Sequence, residues 1–277
     1  MKIRFLFSFF VLFCILQPCT GRAFVPQTPH LLHLVVQKIK QPVGLYVFQT
    51  KTIVDCDAIQ EEGVSLQEAL LYQYPNQLRS EVKSNPAATL SVESGFKFIK
   101  VINGETVSKE KSFIDLYTDI LLYRDHESLI GQLALEGIDV TKVTFQRYDN
   151  TICYVIGQPR GKGQPFAGLW IEKETFLPVR YVVEKKDWMV ECLYSNWQLV
   201  SRTWYPMQIT IFLDSQLFAT INVNHIDLKS DFSPGIFDIS RIERLYPEKL
   251  EPGFLDENSK EKDELNKRIE EFKKLYE

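Results

Sequence analysis

His30 and His33 stand three residues apart, close enough on one turn of a helix to share a metal ion. No carboxylate at matching spacing completes a ligand set, so exposed or capping histidines are the simpler reading. Asp55-Cys56-Asp57 gathers ligand-type side chains in a polar loop, but two carboxylates and a thiol alone do not fix a metal. Arg160-Gly161-Lys162-Gly163 resembles a phosphate-cradling stretch without the Ser/Thr and helix that should follow, and reads as a hairpin loop. No G-x-S-x-G elbow, H-E-x-x-H pair or Walker sequence occurs. His126 and His225 are single and far apart, so only folding could assemble a Ser-His-Asp set around either. That leaves an exported hydrolase open as one reading. The residues themselves assign no catalytic group, no metal ligand and no cofactor.

What the chain has in excess is apolar surface on alternating strands. Met207, Ile209, Ile211 and Leu213 alternate with Gln208, Thr210 and Asp214, broken only by Phe212. Ala219, Ile221 and Val223 alternate with Thr220, Asn222 and Asn224. Successive strand side chains point to opposite faces, so each set lines one side of a sheet. Tyr181 and four tryptophans (Trp170, Trp188, Trp197, Trp204) fall in the same half. Two readings follow: an ordinary core beneath helices, or an apolar cavity inside a curved sheet able to hold a lipid. On the second, Met207, Ile209, Ile211, Leu213, Ala219, Ile221, Val223 and Tyr181 line the cavity.

These residues need elements to position them. Thr28-Pro29 predicts a helix start, with Thr as N-cap and an apolar face of Leu31, Leu32, Val35, Val36 and Ile39. Strands are expected at 45–54, 69–74, 78–83, 96–102 and 105–108, with Asn103-Gly104 as a tight hairpin turn. The period then changes. Ser112 with Asp115 reads as a capping box ahead of Phe113, Tyr117, Ile120 and Leu121 at helical spacing. A second helix after Asp125 carries Leu129, Ile130, Leu133 and Ala134, with Gly137 suited to its C-terminal cap. Strands resume at 140–147, 151–157, 168–172, 179–184, 189–200, 205–214 and 217–228. The count is eleven or twelve strands, mostly antiparallel. The class is mainly β with helices (α+β): one large sheet, curled by its own twist, with helices on one face.

Composition narrows the function further. The 277 residues carry 32 basic and 36 acidic side chains, a net charge of −4, so no basic surplus favours a nucleic-acid partner. Lys2 and Arg4 precede an apolar run over 5–16, and Gly21-Arg22-Ala23 offers a small-residue cleavage site. That pattern predicts a secretory signal peptide over 1–23. One domain is then expected over 24–254, followed by a charged amphipathic helix over 255–277. Export leaves Cys56, Cys153 and Cys192 in the mature chain, so at most one internal disulfide forms. Cys153 and Cys192 lie in strand-like runs, where free cysteine usually packs as a small hydrophobe.

Several stretches together resemble the LolA-like outer-membrane lipoprotein-sorting family. Trp170-Ile171-Glu172, Thr175 and Pro178 match its W-(I/V)-(D/E)-x-x-T-x-x-P hairpin. Trp204-Tyr205-Pro206-Met207-Gln208-Ile209, Ile226-Asp227-Leu228 and Pro234-Gly235-Ile236-Phe237 look like its closing strands. Pro75 with Leu78-Arg79 resembles its P-x-x-(F/L)-R strand, and Val101-Ile102-Asn103-Gly104 its V-x-(D/N)-G turn. The resemblance covers most of 28–240. It implies an unclosed antiparallel half-barrel with a helical lid over an apolar concave face, and no covalent catalysis or cofactor. It further implies a monomeric periplasmic carrier of acylated lipoproteins or lipids, with room for inner- and outer-membrane transport partners. A sensor of acylated molecules that signals to a membrane partner is the alternative within it. On this resemblance the lid falls to Phe113, Tyr117, Ile120, Leu121, Leu129 and Leu133. Arg79 is expected to tie the lid through hydrogen bonds to helix-end carbonyls.

Overall fold

A computed structural model describes residues 25–39, 43–54, 63–83, 88–161, 164–229 and 232–248. The expected signal peptide, the Asp55-Cys56-Asp57 loop, Lys162-Gly163 and the expected C-terminal helix lie outside the described residues. Helix α1 (Thr28–Ile39) leads into strand β1 (Gly44–Ile53). A meander follows: β2 (Val64–Gln73), β3 (Gln77–Lys83), β4 (Ala88–Ser94), β5 (Lys97–Ile102) and β6 (Glu105–Ser108). A 3-10 turn over Phe113–Thr118 runs into α2 (Asp119–Leu122), and α3 (His126–Leu135) comes next. A second meander then runs through β7 (Val143–Tyr148), β8 (Thr151–Ile156), β9 (Gly168–Glu172), β10 (Pro178–Glu184), β11 (Met189–Val200), β12 (Thr203–Leu213) and β13 (Gln216–Lys229). The short helix α4 (Ile239–Leu245) closes the described chain.

All thirteen strands form one antiparallel sheet, ordered β6-β5-β4-β3-β2-β1-β13-β12-β11-β10-β9-β8-β7. The first strand of one meander pairs with the last strand of the other, which fuses the two at the middle of the sheet. Strands β6 and β7, neighbours in sequence, therefore occupy opposite edges. Residues 109–142 must travel from one edge to the other, and the shortest route crosses the hollow of the curled sheet. That connection carries α2 and α3. The expected half-barrel with a helical cover is thus a consequence of strand order.

Two-residue turns with both residues at positive φ link the strands: Asn103-Gly104, Asp149-Asn150, Ser201-Arg202 and Asp214-Ser215. This geometry matches the twist of paired strands. Gly137 (φ 82) ends α3, with its N–H bonded to Ala134 O and the Ile138 N–H to Leu133 O. That pair of bonds is a Schellman motif.

Three expectations are corrected. Thr28 does not cap α1; it is the first residue of the helix, and its buried hydroxyl has no hydrogen-bond partner. Ser112 makes no side-chain cap, because the segment opens as a 3-10 turn and the Asp115 carboxylate turns toward lysines of the sheet. The sheet also has a thirteenth strand, β4, whose apolar side faces outward. Its Val92, together with Ile99 and Val101 of β5, packs under Ile242 of α4 on the convex face.

Candidate functional site

The concave face is built by alternation. On β12, Tyr205, Ile209 and Ile211 are buried while Gln208 is exposed. On β13, Phe218, Ala219, Ile221 and Val223 are buried while Asn222 and Asn224 are exposed. Of the residues expected to line a cavity, Ile209, Ile211, Ala219, Ile221 and Tyr181 are fully covered and Val223 nearly so. Met207 and Leu213 are half-buried against the same cluster. Tyr117, Ile120, Leu121, Leu129 and Leu133 of the covering segment belong to that cluster too. In this state the cover and the concave face are in direct contact. Phe113 sits at the margin, its ring centroid 4.9 Å from that of Phe218 and 6.3 Å from that of Trp188.

Arg79 does not serve the cover. Leu78 belongs to the concave core and the Ser80 hydroxyl reaches Glu68 there, so the residue between them points to the convex side. Its guanidinium pairs with Glu81 at 2.7 Å and donates to Ile236 O at 3.0 Å. The Ile236 carbonyl ends a 3-10 turn over Pro234–Ile236, outside the cover; the arginine that binds a helix-end carbonyl of the cover is Arg124, between α2 and α3. It donates to Leu121 O at 3.0 Å, to Ile39 O at the end of α1, and to the Thr203 hydroxyl of β12 at 2.8 Å. The Tyr74 ring lies 4.5 Å from its guanidinium carbon. Three elements meet on this fully buried side chain, and sequence spacing offered no hint of it.

The other half of the hollow is charged. On β1 the inward row is Leu45, Val47, Gln49, Lys51 and Ile53. On β2, Leu66, Glu68, Leu70 and Tyr72 face the same way. Glu68 accepts from Gln49 at 2.7 Å, from the Ser80 hydroxyl at 2.6 Å and from Lys51 at 3.2 Å. Lys51 and Lys100 approach Asp115 at 3.6 and 3.7 Å. Burial alone would raise the Asp115 carboxyl, but Lys100, Lys51 and Lys111 outweigh it and hold that group below its usual range. Nearby, Lys111 bridges Glu93 of β4 and Asp119 of α2. Burial pushes the Glu93 carboxyl up despite Lys111. Tyr123 and Tyr181 hydroxyls reach Glu93 at 2.7 Å and Asp119 at 3.2 Å, and Tyr194 donates to Tyr117 O at 2.8 Å.

A cavity of about 730 Å³ opens at the edge of the cover. It lies between the β4–β5 turn, the segment before the 3-10 turn, the end of α3 and the β10–β11 turn. Phe96, Phe98, Phe113 and Trp188 line it together with charged side chains, among them Glu93, Lys111, Glu136 and Lys185. Ligand sites fall in this size range. Apart from Phe113, none of the expected site residues lines it.

Sequence reasoning missed the charged half, although its mark was present. A lysine or glutamate at an inward position of a strand otherwise apolar on that side must be paired inside the fold. Lys51 and Glu68 satisfy that test. His30 and His33 are exposed, and His33 bonds Gln37 at 2.9 Å. Among the described residues Cys153 and Cys192 are free, buried thiols, and they lie on opposite faces of the sheet, so they cannot pair with each other. Whether Cys56 pairs with either lies outside the described residues.

No protein-family model matches the chain, and no curated protein does. Solved structures do. A LolA superfamily protein from Nitrosomonas europaea is 11% identical with a TM-score of 0.54, over 78% of this chain and 99% of that one. An outer membrane lipoprotein-sorting protein domain from Vibrio parahaemolyticus is 8% identical with a TM-score of 0.52, over 78% and 98%. A DUF1329 family protein from Desulfovibrio piger is 14% identical with a TM-score of 0.50, over 79% and 100%. At these identities the likeness establishes the fold: this chain is a LolA-like half-barrel.

Proposed function

We propose that this LolA-like half-barrel is a carrier that shelters acyl chains of lipoproteins or lipids beneath its helical cover. On this reading it works in the periplasm, as a chaperone that moves its cargo toward the outer membrane. The observation that carries the proposal is the cover itself. Residues 113–135 bury an apolar face on the hollow of a sheet whose two edges stay unjoined, with a ligand-sized cavity at the margin. A cover held by side-chain contacts across an open edge can lift without breaking the sheet.

The energetics call for such a device. Each methylene taken from water is worth about 0.8 kcal/mol, so a sixteen-carbon chain needs on the order of 12 kcal/mol of apolar shelter. The concave residues of β9–β13 supply that lining once Ile120, Leu121 and Tyr117 move away. One structural neighbour is named for lipoprotein sorting, which supports the same reading. The test is mass spectrometry of organic extracts from purified protein, with displacement of the neutral probe N-phenyl-1-naphthylamine by long-chain alcohols. Co-purifying acyl species and displacement by long but not short chains are expected. A protein that takes up no probe and yields no lipid would end the proposal.

A further inference from the structure

The described chain ends beside the marginal cavity. Helix α4 lies on the convex face, and beyond it the Thr106 N–H donates to Pro247 O at 3.2 Å while Glu248 meets Thr106 in a parallel bridge. The chain at Glu248 therefore runs in the direction of β6. Strand β6 leads into Lys109, Glu110, Lys111 and Ser112, all of which line the cavity. Lys109 pins this exit, with Glu243 at 3.6 Å and Glu248 at 3.3 Å from its ammonium. Glu248 is thus aimed along the cavity's rim.

That rim carries an apolar patch that the described residues leave uncovered. Phe96, at the β4–β5 turn, is 64% exposed, and Leu135, at the end of α3, is 63% exposed. The two are neighbours. The Phe96 ring lies 3.7 Å from where a Cβ on Gly131 would stand, and Gly131 and Leu135, four residues apart, share one face of α3. The half-buried Phe98, Phe113 and Trp188 continue the patch into the cavity. Single exposed apolar residues are ordinary, but a contiguous patch at the mouth of a ligand-sized cavity marks a contact site.

The chain itself supplies an occupant. Segment 255–277, outside the described residues and expected to be an amphipathic helix, carries Leu265, Ile269, Phe272 and Tyr276 at helical spacing. Residues 249–254 can span up to about 20 Å, and a helix over 255–277 is about 35 Å long, ample to cross a cavity of 730 Å³. We propose that this C-terminal helix docks across the mouth of the cavity, laying its apolar stripe on Phe96 and Leu135. It is an outer strap, separate from the cover over 113–135, and ligand enters the cavity when the strap is displaced.

The test measures how fast a cysteine on the rim reacts with a bulky maleimide in the full chain. Lys186→Cys lies on the exposed β10–β11 turn, on a different wall of the cavity from Lys109. A Cys56→Ser background leaves only the buried Cys153 and Cys192 besides it. Leu265→Ser, Ile269→Ser and Phe272→Ser together should raise the Lys186→Cys rate about tenfold, since each lost apolar contact depopulates the docked strap. Phe96→Ser with Leu135→Ser, both at exposed positions, should raise it similarly, and combining the two sets should add little. Leu199→Cys, exposed near the far end of β11, should keep its rate throughout. Dilution should not change the protection, because the contact lies within one chain. Unchanged labelling of Lys186→Cys in the tail variant overturns the strap. An equal rise at Leu199→Cys also overturns it, as a general loosening of the fold. A rise from the tail set without one from the rim set places the helix on another surface, and protection that fades on dilution seats the helix of a second copy there; either result ends the proposal. The readout needs no ligand, so it stands apart from the acyl-carrier reading.

Discussion

Thr210 and Ile211 are consecutive on β12, yet their side chains face opposite ways. Ile211 is completely covered in the concave core, and Thr210 lies on the convex side, paired across to Thr220. A glutamate in place of Ile211 would sit among apolar groups with no partner. Ile211→Glu should lower stability by about 3–5 kcal/mol, whereas Thr210→Glu should cost about 1 kcal/mol or less. Thermal melts of the two variants decide this, and equal losses would mean the register is wrong. The cysteines make a second case at this scale. Burial, with Glu172 adding to it, raises the Cys153 thiol to about 11, and burial pushes Cys192 up as well. Only thiolate reacts, so both should resist a thiol reagent at about pH 8 in the native Cys56→Ser protein and label fully once unfolded. Rapid native labelling would place at least one of them at a surface.

Segment 113–135 shows which features of a chain announce themselves. Gly137, the Asn103-Gly104 turn and the apolar spacing of Leu129 and Leu133 were all legible, because each is set by its immediate neighbours. The turns at Ser201-Arg202 and Asp214-Ser215 were not, since ordinary residues hold positive φ there under tertiary constraint. Strand β4 was passed over because its apolar side is convex and its inward Glu93 is polar. Arg124 and Asp115 were hidden for a deeper reason: Ile39 and Thr203 for the one, Lys51 and Lys100 for the other, are distant in sequence, and only the fold brings them together. Glycines in this element give a direct test. Gly137→Ala puts a Cβ on a residue at φ 82 and should cost about 1 kcal/mol, although nothing lies within 4 Å of it. Gly131→Ala, inside α3 with the nearest atom (Phe96 ring) at 3.7 Å, should instead stabilise by about 0.5–1 kcal/mol. Acid titration tests the attachment of the same element. The carboxyl of Asp115 is held low in the fold, so its contribution is full above the ordinary carboxylate range and is lost as pH falls through its folded value. Glu93, raised by burial, works the other way and gains the fold stability as it becomes protonated. The melting-temperature gap between the natural protein and Asp115→Asn should therefore be wide near about pH 7 and close in acid. A gap that widens in acid would reverse the assignment.

At the scale of the whole molecule, the question is whether the cover is a lid or a permanent part of the core. The closed arrangement is the same in either case, with the cover packed on the inner face; the difference lies in what happens to a chain longer than the marginal cavity. If the cover is fixed, a ligand is confined to space already open, such as the 730 Å³ cavity, and affinity stops rising once the ligand fills it. If the cover lifts, the apolar face behind it becomes available, and each added methylene continues to contribute about 0.8 kcal/mol, or roughly fourfold in affinity. A neutral series of straight-chain alcohols isolates this effect from any headgroup. The hydrogen bond from Tyr194 to Tyr117 O supplies the control, since it joins sheet to cover and both ends are buried. Tyr194→Phe removes the donor, destabilising the closed state by about 1 kcal/mol. A ligand that needs the open state pays less to reach it in that variant. Apparent affinity should then tighten by up to about fivefold at every chain length, even as the melting temperature falls. Lower stability with tighter binding is a combination that a fixed core cannot produce. Weaker or unchanged binding in Tyr194→Phe, with a plateau at short chains, would make the helices an ordinary part of the core.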